Sequence, residues 1–379
     1  MKMNVKESIL HVLLRAYYYS KFRFVINYIN FNPKRVDPYI LIGNHVSLHD
    51  GLYTSIHLKK YPYPVINVFM YTSWFMRFLL TKILYSIPKR KGQSDISTVK
   101  SMMNVIYNHN RGVMLFPEGN SSFFGKESDF PYSTVKFLKK MKLDIVVCKA
   151  NGGYLSAPRW GKKVVNKGKI ELNFYTLFKG KELETLSLDE IYLAVKEALK
   201  FNDFDWNRKN KYIYNSKSKA EGLESYIYVC PNCLNHQTIY TKENKIYCNH
   251  CGEIAHFNQY GLIEGLKFDN LVEWSSLQKS IIPTIVESSV KSKGNLFEVN
   301  LDTYKNKKLG KVVVVLENQI LFIQNEKIHL EFNVESINGL VLTKKTNLSF
   351  DYENKTYYIS LKDPMLFLDM INHLKGGEF

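Results

Sequence analysis

The sequence predicts an α/β domain with a sheet flanked by helices, then a small four-cysteine module, then a mostly β C-terminal domain closed by a helix. Three observations predict this order. Short apolar runs alternate with helical periodicities between residues 35 and 205. Two C-x-x-C pairs follow within residues 226–260. Short apolar or alternating segments separated by turns then dominate residues 265–379.

Charge and composition narrow the class of protein. The chain carries 52 Lys and Arg against 35 Asp and Glu, a formal net charge of +17. This excess favours an anionic partner, either a nucleic acid or an acidic membrane surface, and the 26 Tyr and 23 Phe favour the membrane. No uninterrupted apolar run reaches the length of a membrane span, and no secretory signal is recognisable. We therefore expect a cytoplasmic protein that binds peripherally to the inner face of the cell membrane rather than to a nucleic acid.

Residues 1–34 are predicted to form an interfacial amphipathic helical segment. Apolar residues recur there at near-helical spacing, and basic residues outnumber the single acid. A basic amphipathic helix with aromatic side chains is typical of a membrane interface. Packing of this helix on the following domain is the alternative. Residues 71–81 are strongly apolar and aromatic, and they are predicted either as core or as a second membrane-dipping element.

The sequence N-H-V-S-L-H-D at residues 44–50 is the first candidate site. It follows a predicted buried strand at 39–43 and leads into a predicted helix at 48–58. On one continuous helix His45 and Asp50 would be about 140° apart, so the chain must turn if their side chains are to meet. The carboxylate would then fix the imidazole tautomer and leave the other nitrogen to accept a proton. A capping aspartate beside a partly exposed histidine is the alternative.

A second apolar run, at 113–116, is followed by P-E-G-N-S-S at 117–122. The N-H-x4-D and F-P-E-G elements, about 70 residues apart, together resemble the glycerolipid acyltransferase family, which includes bacterial lysophosphatidate acyltransferases. The first family motif, NHxxxxD, is complete. The third, FPEGTRS, departs at Asn120 and Ser121, where the family usually has Thr and Arg. Because that arginine is associated with the acceptor's phosphate, a phosphorylated acceptor is left open here.

Two looser elements extend the resemblance over roughly residues 35–180. The sequence I-P-K-R ending at Arg90 is similar to the second motif, and a strand at 144–149 before N-G-G-Y is similar to the fourth. The resemblance implies an acyltransferase domain over residues 35–205, resembling 1-acylglycerol-3-phosphate O-acyltransferases of phospholipid biosynthesis. Acyl-CoA or acyl carrier protein would donate the acyl group to a hydroxyl of a lysolipid acceptor. A thioester is already activated, so no serine or cysteine nucleophile is required.

The same resemblance implies roles for individual residues. His45 would be the general base and Asp50 the residue that orients it. The residues implied to bind substrate are Asn44, Arg90, Phe116, Pro117, Glu118, Gly119 and Asn120.

Residues 206–225 are polar and charged and are predicted as a linker. Beyond them, fourteen residues separate two C-x2-C pairs, a spacing typical of a four-cysteine zinc ribbon over residues 226–260. Four thiolates leave no open position on the metal, so the predicted Zn²⁺ is structural. The predicted ligands are Cys230, Cys233, Cys248 and Cys251.

The C-terminal residues 265–379 are predicted to form several short strands and a closing helix at 364–374. This order resembles a pleckstrin-homology-like or GRAM-like domain, which implies docking or regulation; a bare stability module is the alternative. Two other functions stay open from the sequence. One is a catalytically silent lipid-binding relative, and the other is a zinc-ribbon protein that binds nucleic acid.

Overall fold

The computed structural model describes residues 5–90, 96–165 and 167–377. Seven strands form the sheet of the α/β domain: β1 Phe22–Ile29, β2 Ile40–Gly43, β3 Tyr63–Asn67, β4 Ile87–Lys89, β5 Val113–Leu115, β6 Ile145–Asn151 and β7 Gly168–Phe178. Their order across the sheet is β1-β7-β6-β2-β5-β3-β4. The five strands from β6 to β4 are parallel, β7 is antiparallel to β6, and β1 is parallel to β7. The carboxyl ends of five neighbouring strands therefore meet at one edge, where open α/β folds place their sites.

Helices cover both faces of this sheet, as the sequence predicts. They are α1 Val5–Lys21, α2 Asp50–Ser55, α3 Trp74–Phe78, α4 Ile96–Tyr107, α5 Tyr132–Met141, α6 Gly153–Ser156, α7 Leu188–Leu199 and α8 Asp203–Asn210. Shorter 3₁₀ segments lie at Val68–Thr72, Glu182–Glu184 and Leu223–Ser225, and a π-helical turn lies at Leu79–Ile83. In β2, Ile40 and Ile42 share a core with α4, α5 and α7, whereas Leu41 belongs to the core that includes α2. Burial on both sides explains why β2 is apolar at every position.

The predicted helical segment 1–34 is only partly helical. Helix α1 ends at Lys21, and the next eight residues form β1, which pairs with β7 in parallel register. The stretch F-R-F-V-I-N-Y-I carries β-branched and aromatic residues with partial alternation, which suits an edge strand better than a helix. Residues 1–4 lie outside the described residues.

Residues 206–225, predicted as a linker, are packed in the structure. Helix α8 occupies the first part of this segment, and Tyr214, Ala220 and Leu223 are buried completely. The side chain of Asn207 holds the turn after α8, since it accepts from the backbone N–H of Tyr212 and donates to its carbonyl, both at 2.9 Å. A few buried apolar residues therefore outweigh the polar composition on which the linker prediction depended.

The cysteine module is a four-stranded antiparallel sheet in the order β11-β10-β9-β8, followed by a helix. Its elements are β8 Ile239–Lys242, β9 Lys245–Cys248, β10 Gly252–Phe257, β11 Ile263–Glu264 and α9 Leu271–Ile285. Helix α9 was not predicted from the sequence. It packs against the segment before the first cysteine, where Trp274 Nε1 donates to the carbonyl of Val229 at 2.9 Å.

The C-terminal region is mostly β, as predicted. Its elements are β12 Val290–Asn300, β13 Lys305–Glu317, β14 Ile320–Asn325, β15 Ile328–Asn333, a 3₁₀ turn Val334–Ser336, β16 Asn338–Thr343, β17 Asn347–Tyr352, β18 Lys355–Leu361 and α10 Pro364–Leu374. The strands form an antiparallel sheet in the order β15-β14-β13-β12-β18-β17-β16. Strand β17 was not predicted, and α10 has the predicted bounds.

One hydrophobic core runs from the α/β domain through the cysteine module into the C-terminal sheet. Tyr228 illustrates the connection: it lies just before the first cysteine, and its hydroxyl donates to the buried carboxylate of Asp369 in α10 at 2.8 Å. The three parts are therefore packed together along one continuous core. Within the described residues, no helix combines the length and the apolar character needed to cross a bilayer.

Candidate active site

The site begins where β2 ends. Asn44, the first residue after the strand, is buried, and its side chain pairs with the backbone of Ala150 at the end of β6. Its amide nitrogen donates to the Ala150 carbonyl at 2.7 Å, and its amide oxygen accepts from the Ala150 N–H at 2.8 Å. The side chain thus continues the ladder between β2 and β6. Both polar atoms are used, so the structure gives Asn44 a scaffolding position in place of the predicted contact with substrate.

His45 and Asp50 meet in the structure. Nδ1 of His45 lies 2.8 Å from Oδ2 of Asp50, and Asp50 is 1% exposed. The same Oδ2 accepts from the backbone N–H of Ser47 at 2.9 Å, and the hydroxyl of the buried Tyr53 donates to Oδ1. The imidazole keeps 19% of its side-chain surface exposed. Asp50 is therefore fixed by the protein on both oxygens, and the second ring nitrogen of His45 is the one left for chemistry.

The turn between the two residues differs from the prediction in its details. Helix α2 begins at Asp50 and ends at Ser55, so it is shorter than the predicted 48–58. Its N-cap residue is His49, which makes no side-chain capping bond. The carboxylate of Asp50 instead closes the turn by binding the Ser47 N–H. The sequence analysis does not include Tyr53, although its position three residues after Asp50 on a helix is a recognisable signal.

The predicted glutamate-glycine turn lies directly against His45. The Phe116 ring stacks on the imidazole with centroids 4.6 Å apart and planes 24° apart. The backbone N–H of His45 donates to Oε1 of Glu118 at 2.8 Å, and the backbone N–H of Ser122 donates to the His45 carbonyl at 2.6 Å. The F-P-E-G loop therefore holds the histidine through its ring and through both of its backbone groups.

Glu118 is buried, together with Pro117 before it. Its second oxygen accepts from the Ser128 N–H at 2.9 Å, so each carboxyl oxygen binds one backbone group. Burial raises the pKa of Glu118 to about 8, against the lowering effect of these two hydrogen bonds. The carboxyl joins two loops around His45, and this positioning role replaces the predicted contact with substrate.

Gly119 and Asn120 form the open side of the same loop. Gly119 is exposed with a φ of 70°, a conformation that strongly favours glycine, and its N–H donates to the Phe116 carbonyl at 2.9 Å. Asn120 is partly exposed. These two predicted residues keep surface that a substrate can contact.

Arg90 lies away from the pair. It follows β4, which is separated from β2 by two strands, a spacing of about 14 Å across the sheet. Its Nη2 donates to Oδ1 of Asp302 in the C-terminal region at 2.5 Å. The structure therefore places Arg90 at a contact between two parts of the chain.

The guanidinium of another residue, Arg159, nevertheless reaches Ser121, the position at which glycerolipid acyltransferases usually have an arginine. Nη1 of the buried Arg159 lies 3.4 Å from Oγ of Ser121, and its plane covers the Phe123 ring at 5.0 Å. Its Nε donates to the Lys344 carbonyl at 2.9 Å, and its Nη2 donates to the Leu342 carbonyl. The turn between β16 and β17 thus closes over this arginine. No sequence signal connected residues so far apart.

Residues 25–149 match the Acyltransferase family model. This segment is about one third of the chain and contains His45, Asp50 and Glu118. The chain therefore contains an acyltransferase-like α/β domain, followed by a mostly β region.

A solved structure of the 1-acyl-sn-glycerophosphate (LPA) acyltransferase PlsC from Thermotoga maritima is also similar. The sequence identity is 16%, and the TM-score is 0.40. The alignment covers 54% of this chain and 82% of that one. A search of curated proteins gave no significant match.

The four predicted metal ligands are brought together at the tip of the cysteine module. Their Sγ atoms all lie within 4.8 Å of one another, with Cys230 and Cys251 at 3.9 Å and Cys233 and Cys248 at 3.8 Å. Thiolates about 2.3 Å from a tetrahedral Zn²⁺ are about 3.8 Å apart, so the cluster fits this ion. The four residues would hold the metal as a closed structural site with no open position for a substrate.

Proposed function

We propose that the protein is a membrane-associated O-acyltransferase that moves a fatty acyl group from a thioester to a hydroxyl of a lysophospholipid or related glycerolipid. The observation that carries this proposal is the His45–Asp50 pair, held at the carboxyl end of β2 by the F-P-E-G loop. The match of residues 25–149 to the Acyltransferase model supports it.

In the proposed reaction, His45 accepts the proton of the acceptor hydroxyl on its free ring nitrogen. The acceptor oxygen forms a bond to the thioester carbonyl carbon, and the carbon–sulfur bond then breaks. The thiolate leaves with the proton that His45 had taken, so the imidazole returns to its neutral form. General-base catalysis of this kind contributes roughly 10²–10⁴-fold to the rate.

Asp50 acts on this step through His45. The carboxylate holds the imidazole in the tautomer whose proton is on Nδ1, and its negative charge stabilises the imidazolium formed when the hydroxyl loses its proton. The bonds from Ser47 and Tyr53 keep the carboxylate in place while the charge on His45 changes. Acyl-CoA or acyl carrier protein is the proposed donor, and Gly119 and Asn120 are the proposed contacts of the acceptor.

The proposed setting is an anionic membrane surface on the cytoplasmic side. The net charge of +17 supports it, because lysine and arginine near anionic lipid each contribute about 1 kcal/mol of attraction. Zn²⁺ in the four-cysteine site is proposed as a structural ion, which when bound ties the two cysteine turns together.

The test of this function is product formation by the purified protein. Acyl-CoA and acyl carrier protein donors are each incubated with lysophospholipid acceptors, with and without a phosphomonoester, and the lipids are analysed by mass spectrometry. The proposal expects an acceptor-dependent diacyl product with at least one donor. Binding of the lipids without any product would instead support a silent lipid-binding relative.

A further inference from the structure

Helix α3 presents a group of large apolar side chains to solvent. Trp74, Phe75 and Phe78 are 75%, 55% and 53% exposed. The polar faces of helices in soluble proteins seldom carry three such residues within five positions. Exposed apolar groups of this kind are typical of surfaces that contact a partner or a membrane.

Helix α1 carries a second group of exposed apolar side chains near α3. Leu10 packs in the small core cluster that also contains Leu79 and Leu80, directly after α3 in the chain. Ile9, Val12 and Leu13 of α1 are 57%, 65% and 62% exposed.

The turn between β12 and β13 of the C-terminal sheet is joined to α3. Nη1 of Arg77, in the middle of α3, donates to the Thr303 carbonyl at 3.2 Å. The Tyr304 ring stacks on Tyr71, just before α3, with centroids 5.4 Å apart. Two contacts with residues that are distant in the sequence thus hold this turn beside the aromatic group.

Three exposed lysines begin the strand that leaves this turn: Lys305, Lys307 and Lys308. Lys305 and Lys307 lie on one face of β13, and Lys308 lies on the other, where its Nζ is 6.0 Å from the centroid of the Phe297 ring. Two acids lie near them: Asp302 binds Arg90, and Glu298, the cross-strand partner of Lys307, also lies 4.0 Å from Lys355. The lysines therefore place net positive charge beside the exposed aromatic side chains.

We propose that α3 and this end of the β12–β13 hairpin, whose lysines extend from both sides of the strand pair, form one docking face for an anionic bilayer, defined by Trp74, Phe75, Phe78, Lys305, Lys307 and Lys308. The inference rests on the proposed function only in that the bilayer holds the acceptor. Tryptophan and phenylalanine enter the boundary between headgroups and acyl chains, while lysines beside them contact anionic headgroups. An anionic bilayer offers both environments at once, whereas a nucleic acid offers no apolar layer. The C-terminal β domain thus binds the membrane together with the α/β domain.

The test is flotation of the full-length protein with vesicles of phosphatidylcholine alone, or with roughly one third phosphatidylglycerol. The triple variant Lys305→Gln/Lys307→Gln/Lys308→Gln is expected to lose about a hundredfold in partitioning to the anionic vesicles, since each lysine contributes about fivefold. The matched control neutralises three exposed lysines around the cysteine module, Lys217→Gln/Lys242→Gln/Lys267→Gln, and is expected to lose much less.

A second variant, Trp74→Ala/Phe78→Ala, removes exposed side chains and so leaves the fold intact by circular dichroism. It is expected to weaken binding to both kinds of vesicle, because the apolar contribution does not depend on lipid charge. Wild-type binding should fall as salt is added. Equal losses in the two lysine triples would overturn the inference, as would binding of duplex DNA or RNA in preference to vesicles.

The variant His45→Ala separates this inference from the proposed chemistry. It is expected to float with anionic vesicles as the wild type does. If wild-type protein makes no product but the docking face behaves as described, the transferase proposal fails and the membrane inference stands.

Discussion

At the scale of single residues, the pair His45–Asp50 is surrounded by groups that fix it. Ser47 and Tyr53 bind the carboxylate, while Glu118 and Ser122 bind the two backbone groups of the histidine. The sequence could predict that His45 and Asp50 lie near the F-P-E-G loop, because strand ends of a parallel sheet converge. It could not show that the side chains of Asn44 and Glu118 bind backbone groups. Both are polar residues in motifs beside the site, and such residues can equally well bind a substrate.

Glu118 gives a pH prediction at this scale. Its pKa rises from 4.5 to about 8 on folding because the carboxyl is buried. The folded protein then keeps a proton that the unfolded chain has lost, so stability from this group is complete at low pH and is lost as pH rises through about 8. Wild type should therefore lose stability relative to Glu118→Gln as the pH rises from 4.5 to about 8. The difference between their free energies of unfolding should fall by up to about 1.4 kcal/mol per pH unit in this range. Denaturant titrations at several pH values measure the difference, and a constant difference would contradict it.

At the scale of elements, the short helix α6 packs directly against the turn that carries the pair. The site for a Cβ on Gly153 lies 2.4 Å from Cγ2 of Val46 and 3.0 Å from the hydroxyl of Tyr53. Asp203 fixes this helix from the other side by accepting from the Gly152 and Tyr154 N–H groups at 2.8 Å. The position of Asp50 thus depends on an element about a hundred residues away in the chain.

Gly153→Ala should therefore destabilise the protein by about 1–3 kcal/mol, because the added methyl group has no room. It should also lower the transfer rate by displacing Tyr53 from Asp50. The matched control is Gly51→Ala in α2, where a Cβ would meet its nearest neighbour at 3.7 Å and helix propensity favours alanine. Thermal unfolding and transfer rates are measured for both variants. Equal unfolding temperatures and rates for Gly153→Ala and Gly51→Ala would contradict the tight packing around Gly153.

The periodicity of apolar residues predicts some helices and strands of this chain correctly and others wrongly. Strong apolar runs located β2, β5 and β6, and their strand-and-helix alternation predicted the α/β sheet. Residues 22–29 were assigned to a helix because aromatic and β-branched residues there fit both periods, and pairing with β7 decided the outcome. The segment 206–225 was misjudged because three buried residues, Tyr214, Ala220 and Leu223, are hidden among polar neighbours.

At the scale of the whole molecule, the cysteine module lies between the other two parts and shares their core. Gln278 in α9 donates to the Tyr226 carbonyl at 3.0 Å and accepts from the Tyr228 N–H at 3.2 Å. Tyr226 in turn donates to the Lys345 carbonyl in the C-terminal turn at 2.8 Å. Cysteine spacing predicted the ligands, but contacts of this kind between distant residues leave no pattern in one sequence.

Metal removal should consequently affect the entire chain. We expect equimolar zinc in the purified protein, measured by mass spectrometry of the metal, and loss of zinc in Cys233→Ser. Removal of the metal should lower the free energy of unfolding by about 3 kcal/mol or more, a fall of roughly 4 °C or more in the unfolding midpoint. Cys148→Ala, which removes a buried thiol outside the cluster, should retain the metal. Zinc retained equally in both variants would show that the four cysteines do not bind it.

The most direct measurement of the central claim is acceptor-dependent release of thiol from an acyl thioester by His45→Ala. His329 provides the matched control, because this exposed histidine also lies beside a carboxylate, with Nε2 3.0 Å from Oε1 of Glu331. Once wild-type turnover is in hand, loss of the general base predicts a rate roughly 10²–10⁴-fold lower for His45→Ala. Full activity is predicted for His329→Ala, and the two should unfold at similar temperatures. Thiol release by His45→Ala at the wild-type rate would contradict the account.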